Sequence, residues 1–137
     1  MSTYANTSSA TRRVFMHALL GLLGTVAART TRAAAQTRRD FTVVARNYSF
    51  TVIGSDAPEI RVMQNDLVQI TFSTEDIPHS FAIEEAPYRI MRRAEAGKPV
   101  TFSFRADEPG RFRFYCSLTA DPRCREMLGA LVVSPNR

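Results

Sequence analysis

The stretch Glu108-Pro-Gly-Arg-Phe-Arg-Phe-Tyr-Cys116 gives the clearest indication of the fold. Its Pro-Gly pair is a turn signal, and arginine and aromatic residues alternate after it. Because successive side chains of a β-strand point to opposite faces, the two phenylalanines share one face with Cys116 and the arginines take the other. The stretch therefore predicts a half-buried strand at 111–116 that directs the Cys116 thiol inward.

Similar alternation continues on both sides of this strand. From Asp40 onward the sequence shows short runs with a period of two, separated by turn residues, and no apolar stripe of helical period longer than two turns. The predicted strands are 41–46, 48–53, 59–63, 67–72, 80–83, 100–105, 111–116 and 130–134. About eight strands in roughly 100 residues indicate an all-β sandwich or barrel. A single turn of helix is predicted at 92–96.

The first 35 residues differ from the rest. Arg12 and Arg13 precede an apolar run at 17–28 that is too short to span a bilayer, which takes about 20 apolar residues. The triplet Ala33-Ala-Ala35 then supplies the Ala-x-Ala pattern typical of signal-peptide cleavage. We expect residues 1–35 to be a cleavable export signal similar to the twin-arginine type, and 36–137 to be a single mature domain. An uncleaved amphipathic anchor is the alternative.

The charge balance of the chain depends on this leader. The 137 residues carry a formal net charge of +5, which by itself suggests binding to nucleic acid or to an anionic surface. The leader contains four arginines and no acidic residue, so the mature chain keeps 14 basic and 13 acidic side chains. Its basic residues are scattered among acidic ones and form no stripe interleaved with aromatic residues. Nucleic-acid binding is therefore not expected.

Few side chains of the mature chain can bind a soft metal ion. His79 is its only histidine, and Cys116, Cys124 and Met127 fall within twelve residues of one another, on a strand, a loop and a return strand. Imidazole, thiolate and thioether together favour copper, especially Cu(I), or zinc over magnesium or calcium, which prefer oxygen ligands. These four residues are the candidate metal ligands.

The mature chain resembles the cupredoxins over nearly its whole length. The matching segments are Tyr48-Ser-Phe50, Ile60-x-Val-x3-Asp-x-Val68, Asp76-Ile-Pro-His-Ser-Phe81, the stretch 108–116 and Met127-Leu-Gly-Ala-Leu-Val-Val133. The resemblance implies a Greek-key β-sandwich with copper at one end, used for electron transfer or copper handling. By position, His79 matches the upstream histidine ligand, Cys116 the cysteine ligand and Met127 the axial methionine. It also implies that Ser80 braces the site by hydrogen bonding.

One position departs from the family pattern. The common blue-copper site has a second histidine between the cysteine and the methionine, and no histidine lies between Cys116 and Met127. The loop length resembles the copper A domain of cytochrome oxidase subunit II, with its motif Cys-x3-Cys-x3-His-x2-Met. Counted from Cys116, the second bridging cysteine of that motif falls on Ala120 and its histidine on Cys124. A site bridged by two thiolates is therefore not expected, and a mononuclear copper site with one imidazole, two thiolates and one thioether remains.

The two cysteines also allow a metal-free interpretation. Paired cysteines in an exported chain often form a disulfide, and a bond between Cys116 and Cys124 would staple a β-sandwich that serves as a structural or interaction module.

Together these observations predict a periplasmic copper-binding protein rather than an enzyme. We expect it to carry an electron or the metal itself, to be a monomer without stable membrane insertion after cleavage, and to work with a redox partner or a copper donor or acceptor protein.

Overall fold

Nine β-strands account for most of residues 36–136, the part of the chain that the computed structural model describes. They are β1 (Arg38–Arg46), β2 (Ser49–Val52), β3 (Glu59–Met63), β4 (Leu67–Thr74), β5 (His79–Ile83), β6 (Ile90–Ala94), β7 (Val100–Arg105), β8 (Gly110–Tyr115) and β9 (Leu128–Ser134). A 3-10 helix, Pro122–Glu126, lies between β8 and β9. The predicted export signal at 1–35 lies outside the described residues. Within 36–136, no helix has the length and apolar character needed to cross a membrane.

The strands form two sheets that face each other. The first has four strands in the order β2-β1-β4-β7, and the second has five in the order β3-β9-β8-β5-β6. Most neighbours are antiparallel, but β1 pairs with β4, and β3 with β9, in parallel. The chain crosses repeatedly between the sheets, as in Greek-key sandwiches. The predicted all-β sandwich is confirmed, with one strand more than the sequence pattern indicates.

Alternating side chains build the core between the sheets. Along β4 every second residue is buried, beginning with Val68. Phe72 of β4 faces Phe81 of β5 with ring centroids 6.1 Å apart, and Phe81 stacks on Phe114 of β8 at 4.6 Å. Full burial of one such side chain contributes about 1.5–3 kcal/mol. These rings therefore join the two sheets directly beneath the end at which β5 begins.

The predicted helical turn at 92–96 is wrong, because residues Ile90–Ala94 form strand β6. The run is rich in arginine, alanine and glutamate, which have good intrinsic helix propensity. Pairing with β5 overrides this preference: His79 lies opposite Ala94, and Ile83 lies opposite Ile90. Only the two end residues of β6 are buried, so its sequence lacks the alternation that marks the other strands.

Strand pairing brings the candidate ligands to one end of the sandwich. β5 begins at His79, and β8 ends one residue before Cys116. β9 begins at Leu128, which pairs with Tyr115, so the connecting loop at 116–127 leaves and returns at the same edge of the sheet. The loop therefore holds Cys116, Cys124 and Met127 close to the first residue of β5.

Gly129 provides a test of this packing. It pairs with Phe114 across β8 and β9, and a Cβ atom at residue 129 would lie 2.1 Å from Cζ of the Phe114 ring. We expect Gly129→Ala to lower the free energy of unfolding by about 1–3 kcal/mol, the usual cost of overpacking a core. Urea unfolding measures the change. Ser134→Ala, at an exposed position of the same strand, should change stability by less than about 0.5 kcal/mol. Equal midpoints for the two variants would contradict the predicted clash.

Candidate metal centre

Three of the four candidate ligands converge on one point. The Nδ1 atom of His79 lies 4.0 Å from Sγ of Cys116 and 3.8 Å from Sγ of Cys124. All three ligand atoms lie within 4.8 Å of one another, and each of the three side chains is at most 1% exposed. Both cysteines are free thiols, so the disulfide of the metal-free alternative is not formed. The arrangement is a small buried cluster of soft donor atoms.

His79 is oriented by a carboxylate on its far side. Its Nε2 atom lies 3.0 Å from Oδ1 of Asp76, so an Nε2–H donates to the carboxylate and Nδ1 presents its lone pair to the sulfurs. The Asp76 carboxylate also accepts hydrogen bonds from the backbone amides of Asn47, at 2.7 Å, and Ile77, at 2.8 Å. Partial burial acts to raise the pKa of Asp76, but these bonds and the one from His79 outweigh it and lower the pKa to about 2. Asp76 is therefore a fixed, ionised acceptor.

Cys116 is held by residues of β5 and of its own loop. The backbone amide of Ser80 donates to Sγ of Cys116 at 3.4 Å, and Oγ of Ser80 lies 3.8 Å from the same sulfur. Oγ of Ser80 in turn lies 2.9 Å from Oγ of Ser117 and accepts from the Ser117 amide at 2.7 Å. These contacts fix the Cys116 sulfur beside the first two residues of β5. Ser80 thus has the bracing position that the sequence resemblance implies.

Cys124 occupies the middle of the 3-10 helix. Asp121 caps this helix, accepting from the Arg123 amide at 3.0 Å through Oδ1. Burial and the neighbouring Cys116 thiol raise the pKa of Cys124 above its ordinary value, so the metal-free site holds a neutral thiol there. Met127 follows the helix directly: its amide donates to the Cys124 carbonyl at 3.1 Å, and its side chain is 1% exposed. Met127 is thus buried in the hydrophobic core to which both cysteines also belong.

An aromatic and charged layer covers the cluster. The ring of Tyr48 meets His79 edge to face, with centroids 5.9 Å apart, and its hydroxyl donates to Asp121 at 2.5 Å. The Arg123 guanidinium lies 4.0 Å above the Tyr48 ring and donates to its hydroxyl at 2.7 Å. Tyr48 and Asn47 form the two-residue turn between β1 and β2 with positive φ angles of 58° and 48°. This left-handed turn is unusual for a bulky residue. It places the Tyr48 ring against His79 and the Asn47 amide against Asp76.

The donor atoms fit a soft metal ion. Nitrogen and sulfur ligands bound at about 2.0–2.3 Å in a tetrahedral arrangement lie about 3.5–3.8 Å apart, close to the separations of the His79 nitrogen from the two sulfurs. Ala120, where the copper A motif has its second bridging cysteine, is exposed and carries no donor atom. The position that carries the second bridging thiolate in that motif therefore carries no ligand in this chain.

The sequence pattern pointed to candidate ligands, three of which the structure brings together, but it missed most of the residues that contact them. Asp76, Tyr48 and Ser117 hold or cover the cluster, and none was predicted to act there. Asp76 and Tyr48 were visible only as parts of the segments that resemble the cupredoxins. Asp76 stands three residues before His79, a spacing that in a tight turn brings a carboxylate beside the imidazole.

Asp76→Asn tests the role of the carboxylate. The variant keeps the size of the side chain but removes the charged acceptor from His79, and loss of such an outer partner typically costs about 10–100-fold in metal affinity. We expect a decrease of this size in copper affinity, measured by competition with a coloured chelator. The adjacent Glu75→Gln, which removes an exposed carboxylate paired with Arg46, is the matched control and should bind as the wild type does. Equal affinities for the two variants would exclude the orienting role.

Solved copper proteins share this fold. The chain is similar to the periplasmic domain of subunit II of cytochrome oxidase from Bradyrhizobium japonicum, with a TM-score of 0.60 and 16% identity over 71% of this chain and 84% of that one. It is similar to auracyanin A, a blue copper protein from Chloroflexus aurantiacus, with a TM-score of 0.56 and 16% identity over 71% of this chain and 99% of auracyanin A. A copper nitrite reductase from Nitrosomonas europaea gives a TM-score of 0.56 and 24% identity over 73% of this chain and 42% of the reductase chain.

These similarities confirm the expected cupredoxin-like fold. No protein-family model matches the sequence, and no curated protein does. A blue copper protein and a copper-containing reductase both have this fold, so the fold alone does not distinguish a carrier from an enzyme.

Proposed function

We propose that the mature chain is an exported protein that binds one copper ion through His79, Cys116, Cys124 and Met127 and carries an electron or the copper itself. The observation that carries the proposal is the convergence of the His79 nitrogen and two cysteine sulfurs within 4.8 Å at a buried end of a cupredoxin-like fold. When bound, copper would supply a one-electron couple. Thiolate and thioether donors favour copper, above all Cu(I), over hard cations.

The residues around the ligands suit a carrier better than a catalyst. His79 and Cys116 are held by β5 and by the ends of neighbouring strands, which limits rearrangement when the charge of the metal changes. The ligand side chains are at most 1% exposed, so a bound metal would be covered by protein on most sides. We therefore propose that the chain is not an enzyme and exchanges electrons or copper with a partner protein.

The proposed location is the periplasm, and the support for it is the pattern of residues 1–35. Mass spectrometry of the protein recovered from a periplasmic extract tests cleavage after Ala35. A mass that still includes residues 1–35 would contradict the predicted cleavage. The mature chain would then be a nearly neutral monomer without stable membrane insertion and without affinity for nucleic acid. Gel filtration of the mature chain tests the monomeric state.

Copper loading tests the site itself. The purified, fully reduced mature protein is titrated with Cu(I) and, separately, with Cu(II), while thiol reactivity and visible and electron-paramagnetic spectra are recorded. We expect one copper ion per chain, two thiols protected by the metal, and a thiolate-to-copper charge-transfer band with Cu(II). Failure of verified reduced protein to protect its thiols or to show that band would overturn the proposal. An intact disulfide in protein isolated from cells would instead support the stapled module.

A further inference from the structure

The candidate ligands differ in how they are held. His79 begins β5 and is anchored by Asp76, and Cys116 follows β8 and accepts a hydrogen bond from Ser80. Cys124 lies instead in a five-residue 3-10 helix within the loop that joins β8 and β9. Its sulfur contacts His79 at 3.8 Å. Cys124 is therefore the candidate ligand farthest along the chain from a strand, since Cys116 directly follows β8 and Met127 directly precedes β9.

A surface cleft of about 290 Å³ lies beside Cys124, which forms part of its wall. The side chains of Ile77, Pro78 and Leu118 give the cleft an apolar lining, and Arg93 places a guanidinium on it. Ile77 is 37% exposed and Arg93 is 57% exposed, so the cleft opens to solvent. Cys124 itself is 1% exposed, so the cleft leads from the surface to this residue and ends against it.

The size and chemistry of the cleft limit what can occupy it. Its volume is at the lower end of the range for small-molecule sites, about 300–1,000 Å³, and far below what a folded partner domain would need. An apolar lining beside Cys124 suits a soft, weakly hydrated ligand. Two charged residues also line the cleft: Asp121, whose carboxylate is paired with Arg123, and Arg93, whose guanidinium can bind an anionic group. A cuprous ion bound by a small anionic thiol meets both conditions.

We propose that this cleft is the entry route for copper, and that it takes Cu(I) as a complex with a small thiol, which passes the ion first to Cys124. The inference rests on the proposed copper function of the same site. In the exchange, a bond forms between copper and Sγ of Cys124, and the bond between copper and the donor sulfur breaks. The proton of the Cys124 thiol moves to the departing donor thiolate, and copper stays cuprous, so no oxidant or reductant is required.

Ala120→Trp tests the route by filling the cleft. Ala120 lines the cleft and is exposed, so an indole there blocks access without entering the core. The probe is Cu(I) complexed with glutathione, and stopped-flow absorbance follows transfer to the reduced mature protein. We expect the transfer rate constant to fall at least 10-fold, while Cu(I) affinity at equilibrium stays within about 3-fold of the wild type. Ala57→Trp, at an exposed alanine lining a different cavity, is the matched control and should transfer at the wild-type rate.

A second pair of variants tests the charge at the cleft. Arg93→Glu should slow transfer from the anionic complex, with an effect that shrinks at high salt. Arg38→Glu is its control, because Arg38 is equally exposed and likewise pairs with a carboxylate two residues away, at the start of β1.

Wild-type transfer rates in both Ala120→Trp and Arg93→Glu would overturn the entry route but leave the copper site intact. Failure of the wild-type protein to take Cu(I) from the complex at all would overturn the proposed function as well.

Discussion

Copper binding by the Cys116→Ser variant is expected to be more than about 100-fold weaker than binding by the wild-type chain, a larger loss than removal of an outer partner causes. Cys116 is fully buried, and its sulfur lies 4.0 Å from Nδ1 of His79 and accepts from the Ser80 amide. A serine hydroxyl fits the same space and can accept the same hydrogen bond. It does not ionise near neutral pH, however, and is a hard donor that binds Cu(I) poorly.

Equilibrium competition with a coloured Cu(I) chelator measures the loss. Because the replacement is nearly isosteric, the metal-free variant should unfold at a urea concentration close to that of the wild type, which separates loss of the ligand from loss of the fold. Thr119→Ser, an exposed substitution in the same loop, is the control for changes to the loop itself. Tight copper binding by Cys116→Ser would show that the copper ligands lie elsewhere in the protein.

The sequence predicts β4 and β8 well because each has one more buried and one more open face. The alternation in β4 and β8 follows directly from that environment. β1 extends to Arg38, three residues before its predicted start, because polar residues there still form a parallel ladder with β4. β6 was missed for a similar reason: it pairs with β5 while presenting three exposed side chains in a row. Backbone hydrogen bonds do not depend on side-chain identity, so pairing through exposed residues leaves no periodic signal in them.

The candidate site likewise combines residues that the sequence pattern points to with residues whose role depends on tertiary contacts. Candidate ligands could be proposed from the sequence because few residues of the mature chain carry soft donors, and the positions of His79, Cys116 and Met127 match the resembling family. Their supports are ordinary residue types, and what gives them a role is tertiary contact. Tyr48 is 73 residues from Asp121 in the chain, and Asn47 is 29 residues from Asp76, yet both pairs are hydrogen-bonded over the site. Such pairs depend on how the two sheets face each other, which local sequence patterns do not specify.

The variant Cys124→His is expected to convert the site into one of the blue-copper kind. It restores the second imidazole that the common type has between its cysteine and its methionine, giving two histidines, one cysteine and an axial methionine. The cleft beside Cys124 gives the larger ring about 290 Å³ of adjacent space, so the core need not expand to hold it. With a single thiolate, the Cu(II) form should show one intense visible charge-transfer band and a blue colour, unlike the spectrum of the wild-type site with two thiolates.

The decisive comparison is between Cys124→His and Cys124→Ser. Both remove the second thiolate, but only histidine replaces it with a ligand that binds Cu(II) well. We therefore expect Cys124→His to hold Cu(II) with the blue spectrum and Cys124→Ser to hold it weakly and without that spectrum. If the two variants give the same spectrum and affinity, residue 124 does not reach the metal, and the ion is held by the other ligands alone. Sγ of Cys124 and Sγ of Cys116 both lie within 4.8 Å of the His79 nitrogen. This geometry favours different spectra for the two variants, with the blue spectrum in Cys124→His alone.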